Sequence, residues 1–242
     1  MERVWDQYLS EHDKTHINAS GHKLRGFGAR PALLMIDLYR WVFGDKPLPL
    51  IEAMDEWPGS CGLAAWDSLP YIQKLLATAR EVGIPVVHVT GLPERESGVI
   101  GWSGITSTGE GRAGYMGDGN KTREDKYDII PELAPIEGEV LLKKTSPSAF
   151  WGTPVAGHLT ALGIDTVIVA GESTSGCVRA SVVDGCTNRY RMVVAEECVF
   201  DRHEAPHAIN LFDMHSKYAD VLPLDSIVDW MHRWQAPDGF GV

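Results

Sequence analysis

Three residues of this chain carry chemistry that fits together: Asp37, Lys144 and Cys177. Cys177 stands in "GESTSGCVRAS" (171–181), between the apolar run 165–170 and a segment from Val178 to about Asn188 that reads as a helix. The thiolate is the nucleophilic form of cysteine. A helix N-terminus, with its unpaired amide N–H groups and partial positive charge, favours that form. A nearby Lys144 cation would lower the thiol pKa further. Asp37 can accept the thiol proton and return it to a leaving amine. The small residues Ser173 to Gly176 let the backbone approach a substrate. Their amides, with that of Cys177, can hold the oxyanion of a tetrahedral intermediate. The set describes acyl transfer through a cysteine nucleophile, with neither metal nor organic cofactor.

Such residues work only if something brings them together, and the rest of the chain reads as that scaffold. "PALLMIDL" (31–38) is a continuous apolar run, the mark of a strand buried on both faces, and Asp37 lies at its end. A loop rich in Pro, Gly and Trp follows, and then a helix with Asp67 as its cap, apolar Leu69, Ile72, Leu75, Leu76 and Ala79, and a stop at Gly83. "IPVVHVT" (84–90) is a second strand, and residues 91–138 are long, Gly-rich and irregular. "EVLLKK" (139–144) is a third strand ending on Lys144, and Thr153-Pro154 opens a helix that runs to Gly163. "DTVIVA" is the fourth strand and "RMVVAEE" (191–197) the fifth. A helix over 206–217, a short strand "ADVLPL" and an Asp225-capped helix complete the chain. The alternation predicts one α/β domain with a parallel sheet and helices on both faces. In such sheets ligands bind outside the carboxyl ends of the strands, which is where all three residues fall. A loop as long as 91–126 is expected to cover the site and to contribute to specificity.

Composition excludes other classes. The 242 residues include 22 Lys and Arg against 33 Asp and Glu, a net charge of −11. An acidic chain lacks the basic footprint of nucleic-acid or anionic-membrane binding. "MERVWDQYLSEHDK" is polar and mixed, so no signal peptide is read, and no apolar run is long enough to span a membrane. The expected location is the cytoplasm. There the four cysteines, Cys61, Cys177, Cys186 and Cys198, are reduced thiols. No CxxC pair speaks for zinc or dithiol redox chemistry.

The segments "LLMIDLYRWVF", "LLKKTSPSAFWGTPV" and "VIVAGESTSGCVRASVVDG", found in this order, resemble the isochorismatase-like cysteine hydrolases. The resemblance runs from about residue 26 to 232, leaving residues 1–25 as an N-terminal extension. "TSGCVRA" and "ECVFDR" most resemble the group that acts on N-carbamoylsarcosine and on maleamate or biuret-like compounds. The resemblance implies a six-stranded parallel Rossmann-like sheet, dimers or tetramers, and a cis peptide at Glu172-Ser173 that orients an amide toward the oxyanion. It implies Asp37 as base and acid, Lys144 as electrostatic partner and Cys177 as nucleophile, with Ser173 and Cys177 forming the oxyanion hole. The "K-x-x-x-S-A-F" pattern selects Lys144 over Lys143. Arg202 of "FDR" matches a position that binds a substrate carboxylate. Trp41, Ser148 and Phe150 are further candidates for the substrate pocket. The Asp-x-His-x-His metal motif of nicotinamidases is not found, so no metal is expected. The substrate would be a small amide or N-carbamoyl compound, cleaved at its C–N bond with release of ammonia.

Other features read more plainly. His203, His207, Asp213 and His215 look like a metal cluster, but Pro206 divides the histidines, and incidental placement on an amphipathic helix is the simpler account. Trp41, Trp102, Phe150 and Trp151 fit a pocket lining or ordinary core equally well. The "GESTSG" turn could also cradle a phosphate, which makes a nucleotide- or flavin-binding module the main rival. Neither G-x-G-x-x-G nor a P-loop supports it. A non-catalytic scaffold is the other alternative.

Overall fold

A computed structural model describes residues 3–21, 23–92 and 124–240. The apolar runs form six strands: β1 (Pro31–Ile36), β2 (Val86–Gly91), β3 (Val140–Lys144), β4 (Thr166–Glu172), β5 (Arg191–Phe200) and β6 (Ala219–Leu222). They make one all-parallel sheet in the order β3-β2-β1-β4-β5-β6. The chain builds outward from β1 through β2 to β3, then returns to lay β4, β5 and β6 on the other side. Strand order therefore reverses between β1 and β4. A crevice opens there at the carboxyl ends, and Asp37 and the Cys177 turn flank it.

The helices with described ranges are α1 (Glu11–Ser20), α2 (Arg40–Phe43), α3 (Leu50–Glu56), α4 (Leu63–Val82), α5 (Val155–Ala161), α6 (Arg179–Thr187), α7 (Glu204–Lys217) and α8 (Leu224–Arg233). Alternate residues of β1 point to opposite cores. Leu33 and Met35 pack with Leu69, Ile72 and Leu76 of α4 and with Ile227 and Met231 of α8. Leu34 and Ile36 pack with Leu159 of α5, Val182 of α6 and Leu211 and Met214 of α7. The result is the three-layer arrangement expected, with both faces of the sheet covered.

Some local expectations are corrected. Asp67 does not cap α4. The helix starts five residues earlier, with Leu63 after Gly62, because Leu63, Ala64 and Ala65 are good helix formers. Asp225 lies inside the first turn of α8. The Leu224 amide is capped instead by Glu197 of β5, 2.7 Å away, and Asp225 pairs with Lys74. β3 is not buried on both faces: as the edge strand it alternates, with Leu141 and Lys143 exposed and Lys144 buried. α7 begins at Glu204, two residues before Pro206, which the first helical turn accommodates. The N-terminal extension is anchored: Trp5 is buried among core residues, and Arg3 reaches Glu196 at 3.1 Å.

β4 must pass close to β1 to bring the two flanks of the crevice together. Gly171 makes this possible. Its φ is +131°, and a Cβ there would stand 1.9 Å from the Ile36 carbonyl oxygen. Gly171→Ala is expected to destabilise the fold by more than about 4 kcal/mol, read as a lower urea midpoint. An unchanged midpoint would show that the strands do not approach as described.

Candidate active site

Each strand end delivers one group. Asp37 continues β1 by donating its amide to Val89 O at 2.9 Å, then turns the chain with φ +55° and buries its carboxylate completely. Lys144 ends β3 opposite Gly91. Alternation on the edge strand sends Lys143 to solvent and Lys144 inward. The Lys144 ammonium lies 2.8 Å from Asp37 Oδ2, 3.3 Å from Cys177 Sγ and 3.1 Å from the Ser146 carbonyl. Three groups distant in sequence thus share one buried point.

The Cys177 turn is held from several sides. The Glu172-Ser173 peptide is cis. Residues Thr174–Val178 form one turn of π-helical spacing that leads into α6. Ser173 O accepts from the amides of Gly176 (3.0 Å) and Val178 (3.1 Å). Asp201, beyond β5, accepts from the Ser175 amide at 2.8 Å and its hydroxyl at 2.6 Å. The Thr174 hydroxyl pairs with His207 Nδ1 of α7 at 2.8 Å. The Ser181 hydroxyl donates to Cys177 O and accepts from the Ala149 amide, tying the Lys144 loop to α6. The amides of Ser175 and Gly176 are therefore already engaged, so the turn has fewer donors for an oxyanion than its sequence offers. The same engagement weakens it as a phosphate cradle.

The electrostatics differ from expectation in one respect. The thiol of Cys177 is pushed well above its ordinary pKa, not below it. Burial is the first cause and the Asp37 charge the second, while Lys144 opposes both. Asp37 is itself raised by burial, against the pull of Lys144. Burial alone would lower Lys144, but the Asp37 charge and the hydrogen bonds to Asp37 and the Cys177 sulfur outweigh it and hold the ammonium above its usual range. The resting site is a neutral thiol whose sulfur accepts from Lys144, and that ammonium is paired with the Asp37 carboxylate. Asp37→Asn removes the charge that raises the thiol. It is expected to speed alkylation of Cys177 by iodoacetamide at neutral pH, followed by peptide mass mapping. Slower alkylation would show that the loss of Asp37 as a base outweighs the relief of its charge on the thiol.

The remaining candidates are placed as follows. Arg202 donates from Nη1 to Glu172 Oε1 at 2.8 Å and from Nη2 to Gly59 O. Trp41 is half-buried, edge-on to Trp57 at 6.3 Å, with Lys126 5.5 Å from its ring. Ser148 is buried and accepts from the Phe150 amide at 3.1 Å. Phe150 packs into the core beside Tyr190 and against Gly185 of α6, so its burial is accounted for by protein partners. Trp151 is 71% exposed. Trp102 and most of the 91–126 loop lie outside the described residues. The histidine-rich segment disperses. His207 holds Thr174, His215 Nδ1 accepts from the Val221 amide, Asp213 pairs with Arg179 and Lys217, and His203 precedes α7. Among the described residues no three His, Cys, Asp or Glu side chains converge as metal ligands would.

Sequence reading missed Glu172 and Asp201, and took His207 for an incidental histidine. Packing of β5 and α7 against the turn brings Asp201 and His207 to the site. The single local signal is that Glu172 directly precedes Ser173.

The Isochorismatase domain family model matches residues 31–226, which include all three strand-end groups. The chain belongs to the isochorismatase family. It is 38% identical over 201 residues to the maleamate amidohydrolase of Pseudomonas putida, covering 81% of this chain and 84% of that one. It is 32% identical over 221 residues to the N-carbamoylsarcosine amidase of an Arthrobacter species, covering 88% and 76%. Among solved structures, an isochorismatase-like hydrolase from Alkaliphilus metalliredigens superposes with a TM-score of 0.64 at 25% identity, over 86% of this chain and all of that one. The six-stranded parallel sheet is thus that of the isochorismatase family, as the sequence motifs imply.

Proposed function

We propose that this isochorismatase-family chain is a cysteine amidohydrolase acting on a small amide or N-carbamoyl compound, in the class of maleamate, N-carbamoylsarcosine and biuret. That it is a hydrolase of amide C–N bonds rests on the family and on its amidohydrolase and amidase relatives. The observation that carries the mechanism is the Lys144 ammonium placed 2.8 Å from Asp37 and 3.3 Å from the Cys177 sulfur.

The thiol proton passes to Asp37 as sulfur attacks the carbonyl carbon. Lys144 keeps Asp37 ionised beforehand and offsets the charge on sulfur. The amides of Ser173 and Cys177 receive the oxyanion. Asp37 then gives its proton to the leaving nitrogen, the C–N bond breaks and ammonia departs, leaving a thioester. Water loses a proton to Asp37 and attacks the thioester, the S–C bond breaks, and the proton returns to sulfur. With a carbamoyl substrate the carbamate product loses carbon dioxide. Arg202 and Trp41 are the proposed substrate contacts. Phe150 instead packs the loop after Lys144 against α6, and Ser148 holds the Phe150 amide within that loop. Among the described residues no helix is long and apolar enough to cross a membrane. The proposal includes a cytoplasmic enzyme of one domain, assembled as a dimer or tetramer, which light scattering would measure.

Ammonia release over a panel of maleamate, N-carbamoylsarcosine, other N-carbamoyl amino acids, biuret, triuret, guanylurea and nicotinamide tests the substrate class. Release from at least one amide or ureido compound is expected. Preference for nicotinamide, or silence across the panel, would contradict the reading.

A further inference from the structure

We propose that Glu172 couples the capture of a substrate carboxylate at Arg202 to the uptake of a proton, and so discriminates between anionic and neutral amides. This rests on the reading of the site as one for small amides.

Glu172 ends β4, one residue before the nucleophile turn, and is 4% exposed. Its Oε1 receives Arg202 Nη1 at 2.8 Å and the Cys61 thiol at 3.5 Å. Arg202 also holds Gly59 O, so the guanidinium spans from the sheet rim to the loop before α4. The Arg202 side chain remains 20% exposed while that of Glu172 is 6% exposed. A ligand can therefore reach the arginine but not the glutamate behind it.

The groups around Glu172 make a further anion costly. Asp37 and Tyr39 face it from the end of β1, Cys61 from the loop before α4, Cys177 from the turn, and Asp201 and Arg202 from the end of β5. Three carboxylates, Asp37, Glu172 and Asp201, share two cations, Lys144 and Arg202. A substrate carboxylate would be the fourth anion. One carboxylate must then take a proton, because like charges in a buried site cannot all stay ionised. Asp37 is paired with Lys144, and Asp201 accepts from Ser175 and from the Arg202 amide. Glu172 is the one whose own counter-ion the ligand takes. Burial, against the pull of Arg202, has already pushed it up to about 7, so protonation lies within the neutral range. Uptake on binding means that affinity for carboxylate substrates falls as pH rises past this value, with a limit of about tenfold per pH unit. Neutral substrates carry no such slope.

Calorimetric titration of maleamate into Cys177→Ala, in two buffers of different ionisation enthalpy at about pH 8, reads the coupling without turnover. The expected result is about one proton taken up per maleamate, none in Cys177→Ala/Glu172→Gln, and none for biuret with either protein. Binding of maleamate without proton uptake would overturn the proposal, even if the double variant failed to fold. So would uptake that persists in the double variant, or failure of both maleamate and N-carbamoylsarcosine to bind. Loss of the amidohydrolase reading would show separately, as the absence of ammonia release by the wild-type protein.

Discussion

Replacing Cys177 by serine is expected to lower kcat/KM by on the order of 10⁴-fold or more while leaving the fold intact. Sulfur lies 3.3 Å from the Lys144 ammonium, which also pairs with the Asp37 carboxylate. A serine hydroxyl fits the same space. Its pKa lies far higher than that of a thiol, and nothing in the site is arranged to remove that proton fully. Asp37 is a carboxylate, a weaker base than the imidazole that activates serine in other hydrolases. Cys61, Cys186 and Cys198 cannot substitute. Cys61 and Cys198 are buried with thiols pushed well above their ordinary range, chiefly by burial, and Cys186 lies nine residues along the chain, near the end of α6. Activity within tenfold of wild type in Cys177→Ser would remove the thiol as nucleophile.

Asp37→Asn is expected to lower kcat by about 10³-fold with a much smaller change in KM, because the lost group moves protons and does not hold substrate. Asparagine is the informative replacement. It matches the volume, and it is among the few side chains that accept a left-handed backbone such as the φ of +55° here. Lys144 is then left buried without its counter-ion. Breaking a buried pair in this way costs roughly 3–5 kcal/mol, so a lower thermal midpoint should accompany the kinetic loss. The pH profile separates the two effects. Protonated Asp37 cannot accept the thiol proton, so wild-type kcat/KM falls as pH drops through the Asp37 pKa. Burial has moved that value above the usual carboxylate range. Lys144 is held above its ordinary pKa and contributes no alkaline limb near neutrality. The acid limb assigned to Asp37 should vanish in the variant. A limb of unchanged position and depth would assign the base elsewhere.

The residues at strand ends were legible because topology alone places them. A parallel sheet whose order reverses between β1 and β4 must bring Asp37 and the Cys177 turn to one rim, and alternation on β3 lets only one of Lys143 and Lys144 face it, the choice of Lys144 coming from the family resemblance. Groups that hold the site through tertiary contact were not legible. Asp201 meets Ser175 across 26 residues and His207 meets Thr174 across 33, and neither spacing carries a periodic signal. The thiol's direction of shift was misread for the same reason. A helix N-terminus and a lysine can be seen in a sequence, whereas the burial that outweighs them cannot. The helix starts at Asp67 and Asp225 were misplaced because capping preference is a short-range tendency. Gly62 and Glu197, set by the fold, decide those ends instead. Arg202 was singled out as a carboxylate binder with no sign that Glu172 already holds it.

Turnover in the presence of hydroxylamine tests the central claim most directly, since hydroxylamine intercepts an acyl-enzyme but not a product of direct water attack. On the best substrate of the panel, the account predicts that part of the acyl group is captured as the hydroxamate (N-hydroxyurea where the substrate is a carbamoyl compound), that its share rises with hydroxylamine concentration, and that Cys177→Ala forms none. Ammonia release with no captured product at any hydroxylamine concentration would contradict a thioester on Cys177.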